Sequence, residues 1–197
     1  MLADFDTKAA LMKSGKAEFL EHGFEGASLR AICTRAHVTT GAFYAHFRHK
    51  EDLFEALVKD DLSDYLGRYN AMLDRLAWKI QLPCDTETDM MDYLVERRDL
   101  FRLLFDCSNG TKYAQFKDEF ITHFEKTFQV YLDAYAPGAV NSDVTKALVQ
   151  MKFSQCMYLL YSEYDRERIR ATMDRLQVFT QAGLGALLET RFDKRPA

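Results

Sequence analysis

The chain has 197 residues, enough to bury a substantial core as one ordinary domain or two small ones, and its three prolines and nine glycines are few for that length. Helix formers dominate, so an all-α fold is expected. A net charge of −4 argues against a general affinity for nucleic acid. The absence of a long uncharged apolar run, with acids early in "MLADFDTKAALMKSGK", predicts a cytoplasmic protein without a membrane partner. The four cysteines, Cys33, Cys84, Cys107 and Cys156, are far apart and form no CxxC pair, as expected of reduced packing cysteines.

In chain order, Phe5, Ala9, Met12, Gly15 and Phe19 fall at helical spacing, which predicts an amphipathic first helix ended by His22-Gly23. "GASLRAICTRAHV" offers Ser28 as N-cap and places Leu29, Ile32, Cys33 and Ala36 on one side of a short second helix. After His37-Val38, Thr39 and Thr40 cap a third helix from Gly41 to Phe47. Two short helices joined so tightly form a helix-turn-helix pattern. From Lys50 a long helix carries a predicted buried stripe of Leu53, Phe54, Leu57, Leu62, Leu66, Tyr69, Leu73 and Leu76, stopped by Pro83. Thr86 with Asp89 resembles a capping box that opens one helix through "MMDYLVERRDLFRLLF". "DCSNGT" reads as a loop, "KYAQFKDEFITHFEKTFQVYLDAY" as a helix, "SDVTKALVQMKFSQCMYLLYSEY" as another, and a last helix spans about Arg166 to Thr190. The domain boundary is expected inside the long helix, separating residues 1–57 from residues 58–197.

Charge is segregated. Between Gly26 and Lys50 there is no Asp or Glu, whereas Arg30, Arg35, Arg48 and Lys50 are positive and His37, His46 and His49 can add partial charge. This is the footprint of a small phosphate-contacting surface on an acidic body, although a solvated basic face would look the same.

"GFEGASLRAICTRAHVTTGAFYAHFRHKEDLFEAL" resembles the DNA-binding segment of the tetracycline-repressor (TetR) family of bacterial transcription regulators over roughly fifty residues. The shared pattern is the Gly-aromatic pair after the first helix, the Ser before the second, Val in the turn, and "GAFYAHFRHKEDLF". His37 departs from the glycine usual in the family's turn, but His is among the residues that tolerate a left-handed backbone. Gly15 replaces a more usual Ala, at about 1 kcal/mol of helix stability. The resemblance implies an N-terminal three-helix DNA-binding domain followed by a larger helical domain that binds a ligand and dimerises.

A major groove admits a helix whose first side chains reach base edges while neighbours bind phosphate. Thr39 and Thr40 suit a phosphate or a base edge, and Gly41 and Ala42 permit close backbone approach, with Ala42 against a thymine methyl. Arg30 suits a base or a phosphate, while His46 fits either a DNA contact or a local packing contact. Resemblance implies phosphate contacts for Tyr44 and Lys50, and Ser28 completes the DNA-binding set. Phe43 and Phe47, four apart, are expected in the core. Cys33, His37, His46 and His49 have the spacing of no closed zinc module, so no metal site is expected, nor any cofactor.

The resemblance also implies a pocket for an apolar or aromatic small molecule, with Phe101, Phe105, Phe116, Phe120, Phe153, Met157 and Tyr161 as candidate walls. Such aromatic stripes, which continue through Phe124, Phe128, Tyr131 and Tyr135, are also what a plain core looks like. Glu96, Arg97 and Arg98 are expected at the surface. Gly183 and Gly185 inside the last helix indicate close backbone packing against a partner helix, intramolecular or not. Since the family dimerises through its last two helices, Leu176, Phe179, Gly183, Leu184 and Leu187 are assigned to a homodimer interface. No catalytic spacing is visible, so an enzyme is not expected, and a helical adaptor would not need the carboxylate-free motif. The expected function is a ligand-responsive dimeric regulator, a repressor released from a double-stranded palindromic operator by a small molecule.

Overall fold

A computed structural model describes residues 2–77, 84–135 and 137–189. The described residues form nine helices and no strand: α1 (Leu2–Gly26), α2 (Leu29–Arg35), α3 (Thr40–His46), α4 (Lys50–Ala77), α5 (Cys84–Glu96), α6 (Arg98–Asp106), α7 (Phe116–Tyr135), α8 (Ser142–Tyr161) and α9 (Arg166–Glu189). By packing they divide into two compact units, the first reaching Arg68 and including Asp99–Lys117, the second formed by Tyr69–Arg98 and the residues from Asp118 onward. The boundaries therefore fall inside α4, where α5 gives way to α6, and again in the first turn of α7.

In the first unit, α1 breaks at Gly23, whose φ of 69° is a left-handed conformation that glycine adopts without steric cost. Its buried face differs from the expected one. Leu11, Ser14, Gly15, Glu18 and Phe19 are covered, Ala9 is exposed and Met12 is half-exposed; the side chain of Phe5 lies outside the described residues. Two polar groups sit on that face because each has a partner in α2 or its N-cap. The Ser14 hydroxyl donates to the Ile32 carbonyl at 2.7 Å, and the Glu18 carboxylate accepts from the Ser28 N–H at 3.1 Å.

Gly15 is there for space. A Cβ added to it would lie 2.5 Å from Cδ2 of Leu53, itself wholly buried at the start of α4. Gly15→Ala therefore gains about 1 kcal/mol of helix propensity but meets an overpacking penalty of about 1–3 kcal/mol. The expected result is a lower melting temperature, restored by the added change Leu53→Val. A Gly15→Ala protein more stable than the wild type would show that Leu53 moves freely.

Along α4 the buried residues are Leu53, Phe54, Val58, Leu62, Tyr65 and Tyr69. Leu66, expected in this stripe, is exposed, and Leu57 is half-buried. Spacings of four, four, three and four from Phe54 to Tyr69 follow the helical period through Tyr65 instead. The side chains of Leu73 and Leu76, and Pro83 as a whole, lie outside the described residues, whereas α5 opens at Cys84, so Thr86 and Asp89 sit inside its first two turns and Thr86 is not the cap expected to open it.

The helix expected to run from residue 86 through α6 is two helices. The chain leaves α5 at Arg97, whose N–H is shared between the carbonyls of Tyr93 and Leu94, both at 3.2 Å. Arg97 and Arg98, expected at the surface, are half-buried. The Arg97 guanidinium lies 4.0 Å from the Tyr93 ring centre, and Arg98 donates to the Ser162 carbonyl at 3.0 Å. In the second unit α9 packs on α5, and Met91 and Leu94 of α5 and Ile169 and Met173 of α9 are buried. Arg166 and Arg170 close on buried Asp92, and the Arg170 guanidinium, with Arg166, holds that carboxyl below its ordinary value against the effect of burial.

Candidate nucleic-acid interface

The candidate interface is built from α2 and α3. Ser28 caps α2, its hydroxyl oxygen accepting from the Ala31 N–H at 3.4 Å, and buried Ile32 and Cys33 anchor it. The turn then passes through His37 at φ 56°, the left-handed conformation that the glycine usual there would take freely. Thr39 caps α3, accepting from the Ala42 N–H at 3.2 Å, so this helix starts at Thr40 and has Phe47 as its C-cap. Phe43 and Phe47 are buried with ring centres 5.6 Å apart. This pins one face of α3, and Thr40, Gly41 and Tyr44 stand exposed on the other.

Tyr44 is 60% exposed although its ring meets Phe43 edge-on at 5.6 Å, a large aromatic that burial within this chain does not explain. Ser28, Arg30 and Thr39 are exposed as well, while Ala42 and His46 are half-buried. The His46 ring lies 6.4 Å from that of Phe47.

The basic residues separate into different environments. Arg35 is drawn back onto α1, 3.0 Å from the Glu21 carboxylate and 3.6 Å from that of Glu18. The hydrogen bond from Arg35 holds the Glu21 carboxyl below its ordinary value. Arg30, Arg48 and His49 remain exposed. At Arg48 the main-chain N–H donates to Asp52 at 2.9 Å, a cap for the first turn of α4. Lys50 is half-buried, and its ammonium donates to the carbonyls of Phe24 at 2.5 Å and Ala27 at 2.9 Å, with Glu25 at 3.5 Å. Nothing in the sequence marked those acceptors, because they are main-chain atoms more than twenty residues away.

The candidate walls of a small-molecule pocket are divided. Phe101, Phe105 and Phe116 belong to the first unit, where Phe101 packs edge-on against Tyr65 at 5.0 Å and Phe105 stacks on Phe116 at 5.8 Å. Phe101 and Phe105 are buried core. Phe120, Phe153, Met157 and Tyr161 belong to the second unit. Of these, Phe153, Met157 and Tyr161 line an open groove with Tyr158 and Tyr164, while the Phe120 and Phe153 rings are 6.2 Å apart.

A more enclosed cavity of about 250 Å³ lies among α7, α8 and α9, walled by Phe124, Phe128, Leu148, Val149 and Met151 with Lys152 and Thr180 as polar groups. Phe179, Gly183, Leu184 and Leu187, assigned to the dimer interface, also line it. Phe179 and Gly183 are exposed and Leu176, Leu184 and Leu187 half-buried. No atom lies within 4 Å of a Cβ built on Gly183 or Gly185, so no packing within the described chain requires either glycine. Among the described residues no three His, Cys, Asp or Glu side chains gather as metal ligands, and no helix is long and apolar enough to cross a membrane.

Residues 11–57 match the family of bacterial regulatory proteins, tetR family. The chain is 22% identical over 162 residues to the HTH-type transcriptional regulator UidR of Escherichia coli (strain K12), covering 82% of this chain and 83% of that protein. It is 37% identical over 100 residues to the HTH-type transcriptional repressor AcnR of Corynebacterium diphtheriae, 48% of each chain. The fold is that of AibR, solved in complex with isovaleryl coenzyme A and operator DNA, with a TM-score of 0.54 and 16% identity over 86% of this chain and 97% of that one. The matched segment spans the helix-turn-helix whose capped, exposed third helix is described above, so the similarity to the tetR family of bacterial regulatory proteins rests on residues 11–57.

Proposed function

We propose that the protein is a dimeric repressor that binds a palindromic operator and leaves it when a small molecule binds. In this reading residues 1–57 read DNA, and residues 58–197 bind the effector and dimerise. The observation that carries the reading is the exposed face of α3, where Thr40, Gly41 and 60%-exposed Tyr44 stand clear of any carboxylate in their own segment. Thr39, Thr40, Gly41 and Ala42 approach bases or phosphates at the start of the helix, Tyr44 donates to a phosphate, Ser28 and Arg30 flank the groove, and His46 supports the helix from its packed side. The similarity to AcnR supports repression, and AibR, solved with both an acyl-coenzyme A and operator DNA, supports a small-molecule site and a DNA-binding surface on one such fold. An apolar or aromatic effector suits the aromatic and aliphatic walls of the cavity among α7, α8 and α9.

The test is a titration with a duplex that the protein itself selects from a random library, repeated between about 50 and 200 mM salt. Affinity is expected to fall steeply and linearly on logarithmic axes. Tyr44→Phe should weaken binding about tenfold through loss of one hydrogen bond to a charged group, with no change in melting temperature. Salt-independent binding would refute the assignment.

A further inference from the structure

We infer that Lys50 is a positioning residue for DNA reading and not a DNA contact: its ammonium ties the first turn of α4 to the main chain that launches α2. This rests on the DNA-reading assignment above. Lys50 Nζ donates to Phe24 O at 2.5 Å and Ala27 O at 2.9 Å, reaches Glu25 O at 3.5 Å, and lies 4.5 Å from the centre of the Phe24 ring. An ammonium has three N–H groups, so these carbonyls occupy its donors.

The electrostatics explain why the side chain turns this way. Lys50 is the first residue of α4, where the helix dipole disfavours a cation, whereas Phe24, Glu25 and Ala27 follow the break at Gly23 and offer carbonyls at the negative end of α1. Partial burial lowers the lysine's proton affinity, as expected of an ammonium withdrawn from water.

The segment it grips is the one whose position matters for reading. Ser28, the next residue, is the N-cap of α2, and its N–H is held by Glu18. From the other side, the Phe24 N–H donates to the Cys107 carbonyl at 2.9 Å. Residues 24–27 are thus held by α4 and by the segment after α6, and the α2–α3 pair hangs from them. A lysine that swung out to a phosphate would leave two half-buried carbonyls without their donor.

Two measurements on the full chain decide the matter. In the free wild-type protein, side-chain ammonium NMR should show Lys50 protons exchanging several-fold more slowly than those of the exposed lysines, with no change on adding the selected duplex. Lys50→Met should then lose about tenfold or more in affinity for the selected duplex, keep its affinity for an unrelated duplex, and keep the wild-type salt slope. A phosphate contact predicts equal losses on both duplexes and a slope shallower by about 0.9 per subunit. Either that pattern or fast exchange of the Lys50 protons overturns the inference while leaving the regulator assignment intact. A wild-type protein that binds neither duplex with salt-dependent affinity overturns both.

Discussion

Phe54→Ala is expected to lower stability by about 3–5 kcal/mol, a large share of the 5–15 kcal/mol typical of a folded domain. Phe54 has no exposed surface. Its ring meets Phe19 edge-on at 5.2 Å, Phe24 edge-on at 5.6 Å and Tyr113 at 6.2 Å, so one side chain joins α1, α4 and the loop before α7. Removing it deletes three aromatic contacts and leaves a cavity bounded by rigid rings, which collapse poorly. The neighbouring pair Lys112–Glu55, at 2.7 Å but largely exposed, does little to offset that loss. Because α2 and α3 are mounted on α1, DNA binding should disappear in the same denaturant range as the helical signal of the first unit. Leu66→Ala, at a 42%-exposed position on the same helix, serves as the control and should change stability by less than about 0.5 kcal/mol. Similar unfolding midpoints for the two variants would show that the aromatic cluster is not the keystone of this unit.

The contrast between Phe54 and Leu66 also shows how far the sequence could be read. The helix-turn-helix was legible because each signal is local: Ser28 and Thr39 cap their helices, Gly23 and His37 take left-handed conformations, and Phe43 and Phe47 pack at a spacing of four. Where the outcome depended on distant partners, the pattern misled. Ser14 and Glu18 face inward because they satisfy Ile32 O and Ser28 N, so the polar residues of α1 lie on its buried face and the apolar register was misplaced. Tyr65 and Leu66 are adjacent apolar residues, and composition gives no reason to prefer the tyrosine inside. The break at Arg97 carries no glycine or proline, and it is marked only by a shared N–H and a cation over Tyr93. Lys50 reads as a free cation because its acceptors are backbone atoms, which every sequence supplies equally. The pocket was the least legible, since a phenylalanine in a core such as Phe101 and one on a cavity wall such as Phe124 follow the same helical period.

In the proposed dimer, Phe179→Glu is expected to separate the protomers, with a free-energy loss of at least about 2 kcal/mol, the scale of an interface hot spot, and more if the new carboxylate is buried unpaired. Six of the nine large apolar residues found exposed among the described residues lie on α8 and α9: Val144, Met151, Tyr158, Tyr161, Val178 and Phe179. Phe179 is 63% exposed and within one chain it only borders the cavity among α7, α8 and α9, so the substitution can affect effector binding but should leave the melting temperature of the isolated protomer close to wild type. Gly183 sharpens the argument. A Cβ there meets nothing within 4 Å, so Gly183→Ala should stabilise α9 by about 1 kcal/mol if the chain acts alone, yet weaken self-association if a partner helix approaches the glycine. Sedimentation at micromolar concentration separates the two effects. Loss of the dimer has a second consequence at the DNA. Two recognition helices must reach half-sites about 34–36 Å apart, and joining them makes the second contact intramolecular, which strengthens binding about 10²–10⁴-fold without any new contact. Phe179→Glu should therefore lose most of its affinity for a palindromic duplex while binding a single half-site as the wild type does. A variant that still sediments as a dimer, or that loses half-site binding as well, would place the twofold contact elsewhere than this face of α8 and α9.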